Sequence, residues 1–243
     1  MKIYSLAKRN TKEILRDPIN IAFGLGFPVV LLLLLSAIQA SIPVSLFEIQ
    51  HLSPGICVFG LSFISLFSAT IISKDRSSSL LERLYTAPLK PVDFILAYTL
   101  PLIPLSILQS AVCYIFAIIL GLKLTVNIFL SLVFIIPVSL FFISLGLLFG
   151  TILNDKAVGG ICGALLTNLS AWLSGIWFDL DLVGGAFKRI AYCLPFVHAV
   201  EMERAVLDGK LAEAMPHLLW VSGYTLVSLA VAIALFLRQM KKR

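Results

Sequence analysis

The sequence predicts an all-α integral membrane protein. It would have six transmembrane helices, an N-terminal amphipathic interfacial helix, a short cytoplasmic helix between spans two and three, and short outer helices between spans five and six. Three observations predict this. Of 243 residues, 59% are hydrophobic and 13% charged, with a mean hydropathy of +1.00; a soluble domain carries about a quarter charged residues. Apolar runs reach the length of about 20 residues that crosses a bilayer. The polar segments between them share Lys and Arg unevenly, as in membrane proteins of fixed orientation. The chain reads as a single transmembrane domain, residues 1–243.

Residues 1–17 are amphipathic. Ile3, Leu6, Ala7 and Ile14 share one helical face, interrupted by Asn10, while Lys2, Lys8, Arg9, Lys12 and Arg16 occupy the opposite arc. Such a helix lies in the membrane interface with its cations near anionic headgroups. Asp17-Pro18 then reads as an N-cap with proline at the first helical position, so a new helix starts there. The apolar run that follows begins near Ile19, is too long for a signal-peptide core and lacks a small-residue cleavage site, so no signal peptide is expected.

The six expected spans cover about residues 19–38, 54–73, 94–120, 126–153, 157–178 and 218–237. Pro28 predicts a kink in the first, and Pro101 and Pro104 a bend or break in the third; Pro137 lies inside the fourth. With the N-terminus inside, the cytoplasmic segments hold fourteen of the nineteen Lys and Arg residues, which puts both termini in the cytoplasm. The spans contain no Asp, Glu, Lys, Arg or His. Buried ionisable groups are costly in a bilayer and serve ion or proton coupling where they occur, so their absence argues against an ion-driven transporter.

Gly146 and Gly150 form one small-xxx-small pair and Gly159 and Gly163 another, each suited either to packing within the chain or to a subunit seam. The outer segment, residues 179–216, holds two short amphipathic patterns. One comprises Phe187, Ile190, Ala191 and Leu194, the other Val197, Val200, Arg204 and Leu207. Four cysteines at 57, 113, 162 and 193 are scattered and read as small packing residues. His51, His198 and His217 show no metal-ligand spacing, so no metal is expected, and no Ser-His-Asp set falls within the spans. No Gly-x-x-x-x-Gly-Lys-Ser/Thr loop is present, so the chain has no phosphate cradle of its own. The basic balance follows membrane orientation and does not indicate nucleic acid.

The densest charge group between two long apolar segments is residues 74–93. Ser79 and Glu82 make a capping box, Leu80, Leu81 and Leu84 give the following helix an apolar side, and Pro88 ends it after about two turns. Leucines on a charged loop need a surface to pack against, and a groove on a partner protein supplies one.

Asp75-Arg76-x-x-x-Leu80-x-Glu82-Arg83-Leu84-x-x-Ala87-Pro88-Leu89 resembles the signature between spans two and three of ABC transporter permeases of the type-2 exporter kind. Ser174-Gly175-Ile176-Trp177-Phe178, Leu194-Pro195-Phe196-Val197-His198-Ala199 and Arg204-x-x-Leu207-x-Gly209 resemble the region joining spans five and six in the same family. Ser77-Ser78-Ser79 departs from it, standing where members often have Gly-Thr. The resemblance implies a non-catalytic membrane subunit in the cell (inner or plasma) membrane, pairing with a second copy or a related permease. A separate nucleotide-binding ATPase subunit would hold ATP and Mg, leaving this chain without a cofactor. It implies a coupling helix docking that subunit through Ser79, Leu80, Leu81, Glu82, Arg83, Leu84 and Pro88. A second cytoplasmic contact would come from Lys8, Arg9, Lys12 and Arg16. Spans without charge suit a hydrophobic or amphiphilic cargo such as a drug, lipid or lipopeptide. Phe63, Phe67, Trp172 and Trp177, with Gly159 and Gly163, are the candidates for a substrate path or dimer seam. The rival expectation is a channel or scaffold that works without nucleotide.

Overall fold

The computed structural model describes residues 2–43, 47–78 and 91–241. The N-terminal pattern forms α1 (Lys2–Leu15), which buries Ala7, Asn10 and Ile14 on one side. Asn10, the polar interruption of the stripe, donates its amide to the Ala97 carbonyl at 3.1 Å. Pro18 opens α2 (Pro18–Ile21), as the Asp17-Pro18 pair predicts. The chain then widens into a π-helical turn (Ala22–Gly26) and continues as α3 (Phe27–Ser41). Pro28 has no N–H to give the carbonyl four residues back, that of Gly24, and the π turn lies across that position. The kink expected at Pro28 is thus expressed as a π segment.

After α4 (Ile49–Ser77), the third apolar segment divides into α5 (Pro91–Thr99) and α6 (Leu102–Ile119), broken at Leu100-Pro101 as its prolines predict. In α7 (Val126–Ile152), Pro137 is carried without a break. Asn154 caps α8 (Asp155–Val158) by accepting the Ala157 N–H at 2.8 Å. A second π segment (Gly159–Leu166) leads into α9 (Thr167–Trp172). The outer segment folds as α10 (Leu180–Val183), α11 (Gly185–Cys193) and α12 (Pro195–Leu207), before α13 (Leu211–Lys241).

Among the described residues, five helical runs are long and apolar enough to cross a membrane: Ala22–Ser41, Ile49–Ser77, Val92–Ile119, Val126–Ile152 and Leu211–Arg238. The protein is a multi-pass helical membrane protein. The segment expected as the fifth span, residues 157–178, is helical only to Trp172; Gly175, at φ +70°, turns the chain instead. The second and last spans are longer than their apolar cores, because polar residues at both ends stay helical.

α4 is the central element and packs against α3, α6, α7, α12 and the α8–π run. Nearly every residue from Leu52 to Ser73 is buried. Its tightest neighbour is α7. A Cβ on Gly146 would lie 2.5 Å from the Ser65 carbonyl oxygen, and one on Gly150 would lie 2.7 Å from that of Ala69. Gly146 and Gly150 therefore serve packing within the chain. Gly159 meets nothing within 4 Å among the described residues, and Gly163 makes only ordinary contact with Leu66. α12, which carries the second outer pattern, is folded into the bundle, almost all of it buried against α4, α7 and α13.

Candidate functional site

Four consecutive residues at the end of α4 each tie that helix to a different part of the fold. Ser73 donates to Asp155 Oδ1 at the start of α8 at 3.1 Å. Lys74 Nζ lies 3.9 Å from Asp17 Oδ2, in the joint between α1 and α2. Asp75 is 1% exposed and accepts from the Arg9 guanidinium of α1 and, at 2.7 Å, from the Tyr98 hydroxyl of α5. Arg76 donates to the carbonyls of Thr151 and Leu153 at the C-terminus of α7. Carbonyls at a helix C-terminus lie at its negative end, which favours a cation.

Charge explains why the site holds. A buried carboxylate is costly unless paired and hydrogen-bonded, and Asp75 has both a guanidinium and a phenol. For Arg9, burial alone would lower the guanidinium pKa, but the hydrogen bond and charge of Asp75 outweigh it and the net shift is upward. Arg9 also donates to Asn10 Oδ1 at 3.1 Å, so Arg9 and Asn10 together fasten α1 to α4 and α5. The arrangement is a junction: displacement of residues 73–76 is felt at α1, α5, α7 and α8 together.

Of the expected second cytoplasmic contact, Lys8, Lys12 and Arg16 are exposed and share an open face. Arg9 differs from these three, because it turns inward and pairs with Asp75. The expected docking residues Ser79, Leu80, Leu81, Glu82, Arg83, Leu84 and Pro88 lie outside the described residues. Ser77 and Ser78 do not begin a new helix; their hydroxyls bond back to the carbonyls of Lys74 and Asp75 and finish α4. Of the departure Ser77-Ser78-Ser79, the first two serines thus belong to the end of α4, and Ser79 lies outside the described residues.

The aromatic candidates separate. Phe59 stacks edge-on with both Phe63 and Trp177, each at 5.9 Å, and Phe27 reaches Phe63 at 5.8 Å, forming one aromatic run along α3 and α4. Phe67 is buried beneath Gly24. Trp172 is 58% exposed on the outward side of α9 and stands apart from that run, on the same element pair as the open Gly159.

Sequence reasoning missed Glu203. Its carboxyl is fully buried in α12; Oε2 accepts from Ser131 of α7, which is bonded in turn to Tyr114 of α6 at 2.8 Å, and Oε1 has no partner among the described residues. Burial drives its pKa up to about 8, with the Ser131 hydrogen bond opposing. The expected span limits contain no Asp, Glu, Lys, Arg or His, but the helix packed among their outer ends buries Glu203, as Asp75 is buried at the end of α4. Arg204 beside it holds the His51 and Gly175 carbonyls, each at 3.1 Å, pinning α12 to α4 and to the turn after α9.

Comparison with curated proteins returns no match. The family model described as ABC-2 type transporter matches residues 1–207 and spans both the α4 junction and the outer α10–α12 segment. By that match over most of its length, the chain belongs to the ABC-2 type transporter family and is an ABC transporter permease.

Proposed function

We propose that this permease is the membrane subunit of an ATP-driven exporter, moving a hydrophobic or amphiphilic substrate outward under the drive of a separate nucleotide-binding subunit. The observation that carries the reading is the junction at residues 73–76, which gathers α1, α5, α7 and α8 immediately before the segment whose sequence carries the capping-box pair and the three leucines. Closure of two ATPase subunits pulls on residues 79–88, and the junction passes that motion into the helices around α4. The open cations Lys8, Lys12 and Arg16 supply the second contact on the same subunit. The helical run Asp155–Trp172 and the turn after it complete a sixth crossing, with both termini cytoplasmic in the plasma membrane. A second copy packs against its open Gly159 and Trp172 side, and the aromatic run through Phe63 and Trp177 lines the path. The lack of Asp, Glu, Lys, Arg and His within the expected span limits fits an uncharged or amphiphilic cargo.

Leu84→Asp is expected to abolish co-purification of the nucleotide-binding ATPase subunit while the permease still elutes as a folded, monodisperse species. A charge in a hydrophobic docking groove is desolvated without a partner, which lowers affinity by 100-fold or more on a scale of about 1.4 kcal/mol per tenfold. Undiminished capture by the variant contradicts the docking reading.

A further inference from the structure

Three side chains that the sequence leaves far apart meet at the outer end of the bundle. His198 and Glu201 lie one turn apart on α12, and His217 comes from the first turns of α13. One ligand atom from each falls within 4.8 Å of the others. His198 Nδ1 is 2.8 Å from His217 Nδ1, and His217 Nε2 is 3.5 Å from Glu201 Oε2.

The surroundings orient these groups as an outer shell orients metal ligands. His198 Nε2 sits 3.0 Å from the Tyr192 carbonyl, which only accepts, so the ring proton is on Nε2 and the Nδ1 lone pair points into the cluster. The Tyr192 hydroxyl donates to Glu201 Oε1 at 2.6 Å, leaving Oε2 turned to His217. The His198 ring is further fixed by stacking on Trp220, at 4.9 Å and 11°, and by the edge of Tyr192 at 5.9 Å. One tyrosine thus sets two of the three ligands, by its backbone and its side chain.

Hydrogen bonding alone leaves the cluster short of a positive centre. If neutral His217 carries its proton on Nδ1, it satisfies His198 but turns an Nε2 lone pair toward the carboxylate. If the proton is on Nε2, two Nδ1 lone pairs confront each other at 2.8 Å. A positive centre removes both conflicts: either a second proton on His217, which then donates to His198 Nδ1 and to Glu201 Oε2, or a cation held by His198 Nδ1, one nitrogen of His217 and Glu201 Oε2. Two imidazoles and one carboxylate suit zinc and its first-row neighbours, whereas calcium and magnesium take mostly oxygen ligands. Metal–nitrogen bonds of about 2.0–2.1 Å place ligand atoms roughly 3.3 Å apart in a tetrahedron, so the rings have only to swing slightly. Glu201 and Tyr192 also line an outer cleft of ≈ 440 Å³ with Asp179 and Asp181, an acidic approach for a cation.

We propose that His198, Glu201 and His217 form a site for a divalent transition-metal ion of the zinc class, which clasps α12 to the start of α13. The fourth coordination position is left to water. Because α12 also packs against α4 and α7, occupancy fastens the outer segment between those helices and the last span. The proposal rests on the geometry of α12 and α13 alone and stands apart from the coupling role of residues 73–88.

The test uses the full-length protein, purified through a tag without histidines, stripped with chelator and titrated with zinc. Wild type is expected to retain about one zinc per chain after gel filtration, to melt at a higher temperature with zinc than without, and to be unaffected by magnesium. His217→Gln and Glu201→Gln, both at partly open positions, are expected to lower zinc affinity at least 10-fold and to lose the zinc-dependent shift, on the usual cost of losing a ligand-shell partner. His51→Gln, outside the cluster, is expected to keep both. Zinc retention by His217→Gln equal to that of wild type, absence of stoichiometric zinc on wild type, or equal loss in His51→Gln would each overturn the site.

Discussion

Asp75→Ala is expected to cost about 3 kcal/mol of stability and to uncouple the permease from its ATPase. The carboxylate accepts a charge-assisted bond from Arg9 and another from the Tyr98 hydroxyl, and it is buried while Arg9 is 37% exposed. Without it, Arg9 turns to water at little cost, but the Tyr98 phenol, itself 3% exposed, loses a strong acceptor. Hydrogen bonds to charged groups contribute about 1.5–3 kcal/mol each, and the substitution removes two, the one from Arg9 partly offset by water. The full 3–5 kcal/mol for breaking a sealed ion pair does not apply, because one partner reaches solvent. Asp75→Asn keeps an acceptor for Tyr98 and is expected to lose about half as much. Thermal unfolding in detergent reads the stability, and partner ATPase activity reads the coupling. A loss under about 1 kcal/mol for Asp75→Ala with normal stimulation would remove Asp75 from the junction.

Gly146→Leu is expected to prevent the chain from folding to a monodisperse species. At this position the obstacle is backbone: a first carbon would already stand 2.5 Å from the Ser65 carbonyl oxygen, and Ser68 closes the other side at the same distance. Rigid helices cannot yield there without separating α4 from α7, the most extensive contact in the fold. Gly146→Ala alone is expected to cost about 1–3 kcal/mol, the usual range for overpacking. Gly159→Ala, in open space, is expected to change the melting of the single chain by no more than about 0.5 kcal/mol. Size-exclusion profiles and melting curves of the three variants separate the cases. Equal behaviour of Gly146→Leu and Gly159→Ala would show that the α4–α7 seam is not close-packed.

The helices were legible because hydrophobic length and proline positions act locally. The break at Pro101, the separate N-terminal helix and the division of the outer segment all follow from residues near the feature. The shape of the fifth apolar segment was not legible, because its composition is as apolar as its neighbours while its glycines let the backbone open into a π segment and turn at Gly175. Asp75-Arg76 stood out by its charges, but Tyr98 lies 23 residues away and Arg9, Thr151 and Leu153 lie 66 or more away, and no periodicity connects them. Asn10 looked like a flaw in an apolar stripe and is the donor that fixes α1 to α5. Glu203 hid in a segment whose pattern suits a surface helix, and its burial is decided by α7 and α13 packing over it. His198 and His217 escaped because ligand spacing is visible along one helix and not between two.

The central claim is that this permease is moved by a separate ATPase acting through residues 79–88 and the junction beside them. ATP hydrolysis by that subunit, measured in proteoliposomes with and without the permease, tests it most directly. Wild-type permease is expected to raise the hydrolysis rate several-fold, and Leu84→Asp, reconstituted to the same density, to leave it at the rate of the ATPase alone. Hydrolysis that is identical with and without wild-type permease would contradict the account.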